Sequence, residues 1–431
     1  MDNIIEKIEW LKKSSFDLVE VYSRVNEIHT FNLKKGQMLQ NFRSLLEENA
    51  VRVFHKGKVG KAGTGAIYTV KEWDELYKKA SLDLQEGKYS YNPDFVVNQA
   101  PKKCKEPENE KVMIEQLKQM WFMIKKRNMI PLICQGKINK KKRWLLTSQG
   151  HQLMDSNYYY EYNIAVGSKN TSLGDDYFSN RLLTLEELEF YIDRLCQESR
   201  MFNTTSQLKS GSYLTLIKNS VVIDILSAFF PVFLNTFFEK DKSFLKKFIG
   251  KRIGNKNLNV FITPTGLKHY SFDDEGVKTK EFYLIKDGIF NGPICTMDEA
   301  IRLGLEPMGC GWRQKDVACI EPGITNLRMK FNLRSKSSLL NEIDSGLYLV
   351  ALRGLRQGKN ILIGDLSGIG TVIIVKNRKL ISGVKGVTVN INLIKLFNDM
   401  IYFGDDWRWK MTPYGAMLAP SIIVQDVLIK V

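Results

Sequence analysis

The run GTVIIVKNRKLISG, from Gly370 to Gly383, indicates the fold of the second half of the chain. Two apolar stretches flank a polar centre, which is the pattern of two strands joined by a turn. Similar stretches recur from about residue 258 onward: LNVFITPTG (258–266), KEFYLIKDGIFNG (280–292), GLYLVALRG (346–354), NILIGDLSG (360–368) and APSIIVQDVLIKV (419–431). Short strands at this density predict an antiparallel or barrel-like sheet.

Ahead of these strands, one apolar segment predicts a single long central helix over about residues 220–249, including SVVIDILSAFFPVFLNTFF. Asp224, Pro231 and Asn235 interrupt the segment, so a buried amphipathic helix is favoured over a membrane span. Pro231 lacks the N–H of a regular helix interior and is expected to kink the helix.

The first half of the chain mixes helical and strand patterns. Apolar residues at helical spacing predict helices in VKEWDELYKKASLDL, EKVMIEQLKQMWFMIKKRN and LTLEELEFYIDRLCQESRMFN. Alternating residues predict strands in FDLVEVYSRVNEIHTFNLKKGQMLQNF and NAVRVFHKGKVGKAGTG. We therefore predict an α+β protein with an N-terminal α/β domain over residues 1–205 and a C-terminal β-rich domain over residues 206–431.

The chain carries excess positive charge, with 63 Lys and Arg against 47 Asp and Glu, for a net charge of +16. Such charge is compatible with nucleic acid or another acidic surface. The densest basic run, KINKKKRW at 137–144, is predicted to be a solvated loop tip or strand edge. Because no recognition-helix, RRM or zinc-finger pattern accompanies it, direct nucleic-acid binding is not expected.

The N-terminal residues and the cysteines indicate in which cellular compartment the chain is expected. The first residues, MDNIIEKIEW, lack a basic segment followed by an apolar run, so we expect a cytoplasmic chain without a membrane partner. Six scattered cysteines form no C-x-x-C pair and are expected to be reduced. A zinc site at Cys295, Cys310 and Cys319 is not expected, because the spacing is wrong and no histidine lies between them.

Three consecutive acids, Asp273, Asp274 and Glu275, follow His269 and precede Gly276. Adjacent strand residues point to opposite faces, so these residues would form a poor metal site. We predict a structural turn, in which carboxylates accept hydrogen bonds from nearby N–H groups and Gly276 takes a positive φ. Two alternatives remain: the turn helps to shape a subunit interface or substrate groove, or His269 and the acids form a metal or acid–base site.

Five segments, taken in order, resemble the TldD/PmbA family, which is also called the modulator of DNA gyrase family. They are residues 16–65, SFDDEGVKTKEFYLIKDGIFNG at 271–292, CIEPGITNL at 319–327, residues 364–409 and APSIIVQDVLIKV at 419–431. Each segment is a weak signal by itself, but the five together span both halves of the chain.

The resemblance implies one of two kinds of subunit. TldD-like subunits of the family carry zinc on an H-E-x-x-x-H helix and a cysteine near the C-terminus, whereas PmbA-like subunits, also called TldE, lack both. The matching segment here, LSAFFP at Leu226–Pro231, holds no His, Cys or Glu, and no cysteine follows Cys319. The resemblance therefore implies a non-catalytic PmbA/TldE-like subunit with no catalytic residues, metal ligands or cofactor of its own.

The same resemblance implies a heterodimer with a TldD-like zinc metalloprotease that cleaves unfolded or leader peptides, with the zinc in the partner. One alternative is a stand-alone hydrolase with a metal site rebuilt at His269 and residues 273–275. The other is a nucleic-acid-associated binding protein, which the basic charge and the older family label would suit.

Overall fold

The computed structural model describes residues 11, 14–85, 94, 96–97, 110–168, 171–204, 206–314, 316–332 and 335–431. The helices in this part of the chain are α1 (Val70–Leu82), α2 (Glu110–Lys126), α3 (Leu185–Arg200), α4 (Asn219–Phe229), α5 (Asn235–Glu239), α6 (Met297–Arg302) and α7 (Leu393–Asn398). The strands of the first half are β1 (Leu18–Lys34), β2 (Gln37–His55), β3 (Lys58–Thr64), β4 (Ile130–Thr147), β5 (Gln152–Ser168) and β6 (Thr171–Ser179).

The second half carries the remaining strands. They are β7 (Gly211–Ile217), β8 (Leu258–Thr263), β9 (Phe282–Lys286), β10 (Ile289–Phe290), β11 (Gly311–Trp312), β12 (Glu321–Pro322), β13 (Asn326–Phe331), β14 (Ser345–Arg353), β15 (Lys359–Asn360), β16 (Asp365–Lys376), β17 (Lys379–Asn392), β18 (Met400–Phe403), β19 (Arg408–Thr412), β20 (Gly415–Ala419) and β21 (Ile422–Lys430).

One large sheet runs through both halves of the chain. Its twelve strands have the order β10-β9-β8-β13-β20-β19-β6-β5-β4-β1-β2-β3. All pairs among β1 to β6 are antiparallel, so this half is built from hairpins and not from parallel crossovers. The two halves join where Trp409 of β19 pairs with Phe178 of β6. The sheet thus contains strands from both sides of the predicted domain boundary at residues 205 and 206. The division into two domains at that boundary stays a prediction.

The second sheet closes on itself. Its order is β14-β7-β21-β17-β16-β15, and β14 also pairs with β16, so five strands form a ring. The pair of β14 with β7 is parallel, and the other pairs of the ring are antiparallel. The predicted α+β fold with a barrel-like C-terminal half is confirmed.

Two of the predicted helices, α2 and α3, cover one face of the large sheet. A capping box at Thr184 and Glu187 starts α3, as its sequence suggests. Their apolar faces share one core with the barrel: Met113 and Leu188 of the helices join Ile343 and Ile373 of the second half. The two halves are therefore joined by a shared hydrophobic core as well as by the shared sheet.

The single long helix predicted over about residues 220–249 is wrong. Helix α4 ends at Phe229, a 3-10 turn at Phe230–Phe233 contains Pro231, and the short α5 follows. Proline removes one backbone donor and clashes with the preceding turn of a regular helix. Leu234 then takes an extended conformation and makes a bridge with Ile294.

The prediction for the basic run at 137–144 is also wrong. The run lies within β4, which pairs with β1 on one side and β5 on the other. Successive strand residues point to opposite faces, so Arg143 is fully buried while Lys142 is exposed. Among the described residues, no helix is both long and apolar enough to cross a membrane.

Candidate functional site

Asp273 closes the acidic turn with its own carboxylate. Its Oδ1 accepts hydrogen bonds from the backbone N–H groups of Glu275 and Val277, each at 2.9 Å. Its Oδ2 accepts from the N–H of Gly311 at 2.7 Å. Burial, followed by the nearby charge of Glu275, raises the pKa of Asp273 well above its usual range. The predicted turn hydrogen bonds are therefore present, in the interior of the protein.

Two features of this turn, its backbone conformation and its close packing, require glycine at position 276. Gly276 has φ of +82°, a conformation that side chains rarely adopt. A Cβ added there would lie 2.9 Å from the side chain of Val96 and 3.0 Å from that of Leu145. Both the backbone conformation and the close packing therefore exclude larger residues.

Asp274 is the centre of a buried charge network between the two halves. Its Oδ1 accepts from the Tyr22 hydroxyl at 2.9 Å and from Arg143 at 2.7 Å, and its Oδ2 accepts from the N–H of Arg313 at 2.8 Å. Burial alone would raise the pKa of Asp274, but the charges of Arg143 and Lys141 lower it to about 2. Asp274 is thus held as a carboxylate that joins β1 and β4 to the second half.

The third acid, Glu275, is also engaged inside the protein. Its Oε2 accepts from the N–H of Met297 at 2.7 Å, at the start of α6. Asp273, Asp274 and Glu275 are 0%, 0% and 1% exposed. Any influence of this turn on a groove or interface would be indirect, and that role stays a prediction.

His269 lies apart from these carboxylates. Its side chain is exposed, while its backbone N–H donates to the side chain of Asn157 at 2.9 Å. Within the described ranges, no three His, Cys, Asp or Glu side chains come together as metal ligands would. The structure therefore does not bring the predicted alternative metal set together.

The three cysteines of the central region occupy different environments. Cys310 is buried, whereas Cys295 and Cys319 are partly exposed. Burial raises the pKa of the Cys295 thiol to about 12. The thiol of Cys319 donates to Asp316 at 3.1 Å, and burial, followed by this hydrogen bond, raises its pKa. Neither partly exposed cysteine has the thiolate character that a nucleophile needs.

A second ionic network ties α3 to the barrel and to β6. Lys218 contacts Asp175 at 2.9 Å and Glu198 at 2.6 Å, and Arg408 contacts Asp175 at 2.7 Å. Burial alone would raise the pKa of Asp175, but the charges of Arg408 and Lys218 lower it. No sequence pattern predicted this network, because its members lie far apart along the chain.

A cleft of about 1010 Å³ lies beside α4 and was not predicted. Asp224, Ser227 and Ala228 of α4 form part of its wall, and we call it the α4 cleft. The opposite parts of its wall come from residues as distant in sequence as Cys319 and Tyr414. No local motif could have revealed a site assembled in this way.

Two charged side chains of the α4 cleft, Asp224 and Lys359, are already engaged with neighbouring groups. Asp224 pairs with Lys410 at 2.7 Å; burial raises the pKa of Asp224, and the charge of Lys410 opposes that rise. Lys359 donates to the carbonyl of Ala228 at 3.5 Å, near the C-terminus of α4, where a cation is favoured. Burial, followed by the charge of Arg356, lowers the pKa of Lys359. The wall can hold polar and charged groups of a ligand.

The donor set of α4 does not fit zinc. Structural and catalytic zinc sites use histidine, cysteine or carboxylate ligands in groups of three or four. In α4 the cleft wall offers only the carboxylate of Asp224, which already contacts Lys410.

Comparison with known sequences assigns the family. Residues 210–431, just over half of the chain, match the PmbA/TldA metallopeptidase C-terminal domain. The chain therefore belongs to the PmbA/TldD family.

Curated relatives of the chain are named as metalloproteases. The chain is 29% identical over 187 residues to the metalloprotease PmbA of Escherichia coli O157:H7, covering 42% of this chain and 39% of that protein. It is 23% identical over 266 residues to the metalloprotease PmbA homolog of Haemophilus influenzae, covering 59% and 56%. The matched regions thus span less than two thirds of these relatives.

Solved structures share the fold over nearly the whole chain. TldE from Thermococcus kodakarensis superposes with a TM-score of 0.81 at 18% identity, covering 99% of both chains. A putative modulator of DNA gyrase from Thermotoga maritima gives a TM-score of 0.80 at 20% identity, also covering 99% of both chains.

Proposed function

We propose that this chain is a PmbA/TldE-like non-catalytic subunit. It pairs with a TldD-like zinc metalloprotease, and the pair cleaves unfolded or leader peptides. The observation that carries the proposal is α4, which presents Asp224, Ser227 and Ala228 to the α4 cleft and has no zinc-binding pair of histidines. The TldE fold of a solved relative supports the same role.

In this role the chain contributes binding surface. Lys359 in the cleft wall belongs to β15, the short strand that ends the order of the second sheet. A terminal strand offers backbone N–H and C=O groups to an extended peptide, and such pairing makes little demand on peptide sequence. The chemistry belongs to the partner, because Asp224 and the Cys319 thiol are not poised as base or nucleophile.

A site rebuilt around His269 is less favoured as an alternative. The three acids that would serve it accept hydrogen bonds from buried backbone and side-chain donors. A metal would have to displace these donors, which would leave buried polar groups without partners.

The first experiment is affinity purification of the tagged chain from its own host, with protein identification and zinc quantification. We expect a stoichiometric partner carrying H-E-x-x-x-H and about one zinc per pair. A lone chain that holds stoichiometric zinc would overturn the proposal. The variant His269→Ala separates the two readings: it leaves the activity of the pair unchanged, but would abolish a chelator-sensitive activity of the chain alone if His269 were a ligand.

A further inference from the structure

Four basic side chains line the α4 cleft. Lys240 and Lys242 come directly after α5, Arg356 lies between β14 and β15, and Lys359 is the first residue of β15. Lys240, Lys242 and Arg356 are exposed, and Lys359 is partly exposed. A single cavity of about 1010 Å³ therefore brings together cations from two distant parts of the second half.

The backbone that carries these cations is held by hydrogen bonds. The N–H of Lys242 donates to the carbonyl of Phe237 at 2.8 Å and so closes the end of α5. The N–H of Gly358 donates to the carbonyl of Gly354 at 3.2 Å, which closes a turn that contains Arg356. The basic residues are thus presented to the cleft by closed turns.

The carboxylates closest in sequence to the two lysines are engaged elsewhere. Glu239 pairs with Arg302 at 2.9 Å, and Asp241 pairs with Lys246 at 2.5 Å. Within the described part of the chain, neither of the two lysines that follow α5 forms an ion pair. Their charges are therefore available to a ligand in the cleft.

The other two cations of the cleft lie close enough to influence each other. Burial, followed by the charge of Arg356, lowers the pKa of Lys359. Lys359 donates to the carbonyl of Ala228 at 3.5 Å, and Arg356 forms no ion pair with any described residue. An anion near both cations would relieve their mutual repulsion.

The carboxylates of the cleft wall compensate little of this charge. Asp224 pairs with Lys410 at 2.7 Å, and Asp316 accepts from the thiol of Cys319 at 3.1 Å. Glu321 is exposed and is the one acid of the wall without an ion pair among the described residues. Unpaired positive charge in the cleft therefore exceeds unpaired negative charge.

Apolar side chains and the three acids indicate the kind of anion that the cleft would accept. Phe237, Leu355 and Tyr414 also line it and offer contacts for apolar groups. A continuous polyanion such as nucleic acid would meet the carboxylates of the wall as well as its cations. A peptide that carries separate acidic side chains can place each carboxylate against a cation, so a peptide fits better than nucleic acid.

We propose that the α4 cleft selects acidic peptide segments, whose carboxylates pair with Lys240, Lys242 and Arg356. This inference rests on the proposed role of the cleft in receiving peptide, and it names the class of peptide. Ammonium and guanidinium groups would donate to the carboxylates, while the apolar part of the wall contacts the neighbouring residues of the peptide. The volume of the cleft lies at the upper end of the range for ligand pockets.

Binding to the purified chain tests the selection. The probes are a fluorescent unfolded peptide that contains several Glu residues, its Gln analogue, and a single-stranded oligonucleotide. Fluorescence anisotropy gives the Kd of each probe. We expect the Glu peptide to bind at least about tenfold more tightly than the Gln analogue, because each exposed ionic contact changes affinity by about twofold to fivefold.

A triple variant locates the binding in the cleft. It combines Lys240→Gln, Lys242→Gln and Arg356→Gln, and it should weaken binding of the Glu peptide about tenfold or more while leaving the Gln analogue little changed. Thermal unfolding checks that the variant folds, as expected for exposed positions. If it does not fold, Lys242→Gln and Arg356→Gln are measured singly, each with an expected loss of about twofold to fivefold.

A matched control removes the same charge elsewhere, since the whole chain is basic. It combines Lys376→Gln, Arg378→Gln and Lys379→Gln, three exposed positions at the turn between β16 and β17 that lie outside the lining of the cleft. This variant should bind the Glu peptide as the wild type does. An equal loss in the control would show attraction by overall charge and would overturn the proposal.

The remaining outcomes separate this inference from the proposed function. If both peptides bind equally and the cleft variant weakens both, the cleft receives peptide but the acidic preference is overturned. An oligonucleotide that binds more tightly than the Glu peptide and depends on the same residues also overturns it. Cleft-dependent preference for the Glu peptide, in a chain that purifies without a metalloprotease partner, supports this inference and removes the proposed pairing.

Discussion

The acidic turn and the α4 cleft both hold carboxylates, but they hold them in opposite ways. In the turn, Asp274 accepts three hydrogen bonds and is fully buried. In the cleft, Asp224 has one close cation, and the side chains of this pair are 32% and 21% exposed. The region that looks like an active site in sequence thus serves as a support between the halves, and the accessible region is assembled from residues scattered along the chain.

The largest expected effect comes from removing the centre of the turn. Asp274→Ala leaves Arg143 buried without its closest carboxylate, which should lower the free energy of unfolding by about 3–5 kcal/mol. Urea unfolding followed by circular dichroism measures the loss. A loss below about 1 kcal/mol, as for a surface pair, would show that the turn is not a structural support.

Acid should weaken the same support. The folded-state pKa of Asp274 is about 2, below the ordinary value of about 3.9. Its stabilisation is therefore present above about pH 4 and is lost as the pH falls toward 2, at a cost of about 2–3 kcal/mol. Unfolding free energies across this range measure the loss. Asp274→Asn should be less stable at neutral pH but show a flatter acid dependence; an identical dependence would contradict the assignment.

A glycine substitution separates backbone strain from crowding. Gly276→Ala should cost about 2–4 kcal/mol, because it combines a strained positive φ with contact against Val96. Gly57 has a similar φ of +76° with no atom within 4 Å of the added Cβ. Gly57→Ala should therefore cost only about 1–2 kcal/mol. Equal losses in thermal unfolding would mean that close packing at the turn contributes nothing.

The smallest effect on stability is expected in the α4 cleft. Asp224→Ala should change the free energy of unfolding by less than about 1 kcal/mol, because its ion pair is partly exposed. If the cleft receives peptide, kcat/KM of the complex with the partner should fall about threefold to tenfold. A variant that is as active as the wild type, or as unstable as Asp274→Ala, would remove the contrast between the two regions.

The sequence could predict what depends on neighbours along the chain. Strand alternation identified most hairpins, and the turn chemistry of Asp273 and Gly276 requires only residues two to four positions away. The prediction of one long central helix was wrong because uniform hydrophobicity does not distinguish one buried helix from several short turns. Pro231 was the signal that the helix would be interrupted. The helix is not merely kinked there: α4 ends at Phe229, and Pro231 lies in the 3-10 turn that follows.

Long-range partners could not be read from the sequence. The run at 137–144 was predicted to be solvated because charged residues usually lie at the surface. In the structure, Arg143 forms an ion pair with Asp274 in the interior, and Lys137 forms one with Glu161 of the neighbouring strand. The α4 cleft joins positions from Asp224 to Tyr414. Such sites depend on which strands become neighbours, and no local spacing encodes that choice.

The closed ring of strands also governs the order of folding during synthesis. Ile217 of β7 pairs with Ile422 of β21, and β21 also pairs with β17. On the ribosome, the earlier strands therefore keep unpaired edges until residues 422–430 emerge. Contacts so distant in sequence slow folding and prolong exposure of edges that can aggregate. We expect the nascent second half to depend on chaperones until β21 has emerged and paired.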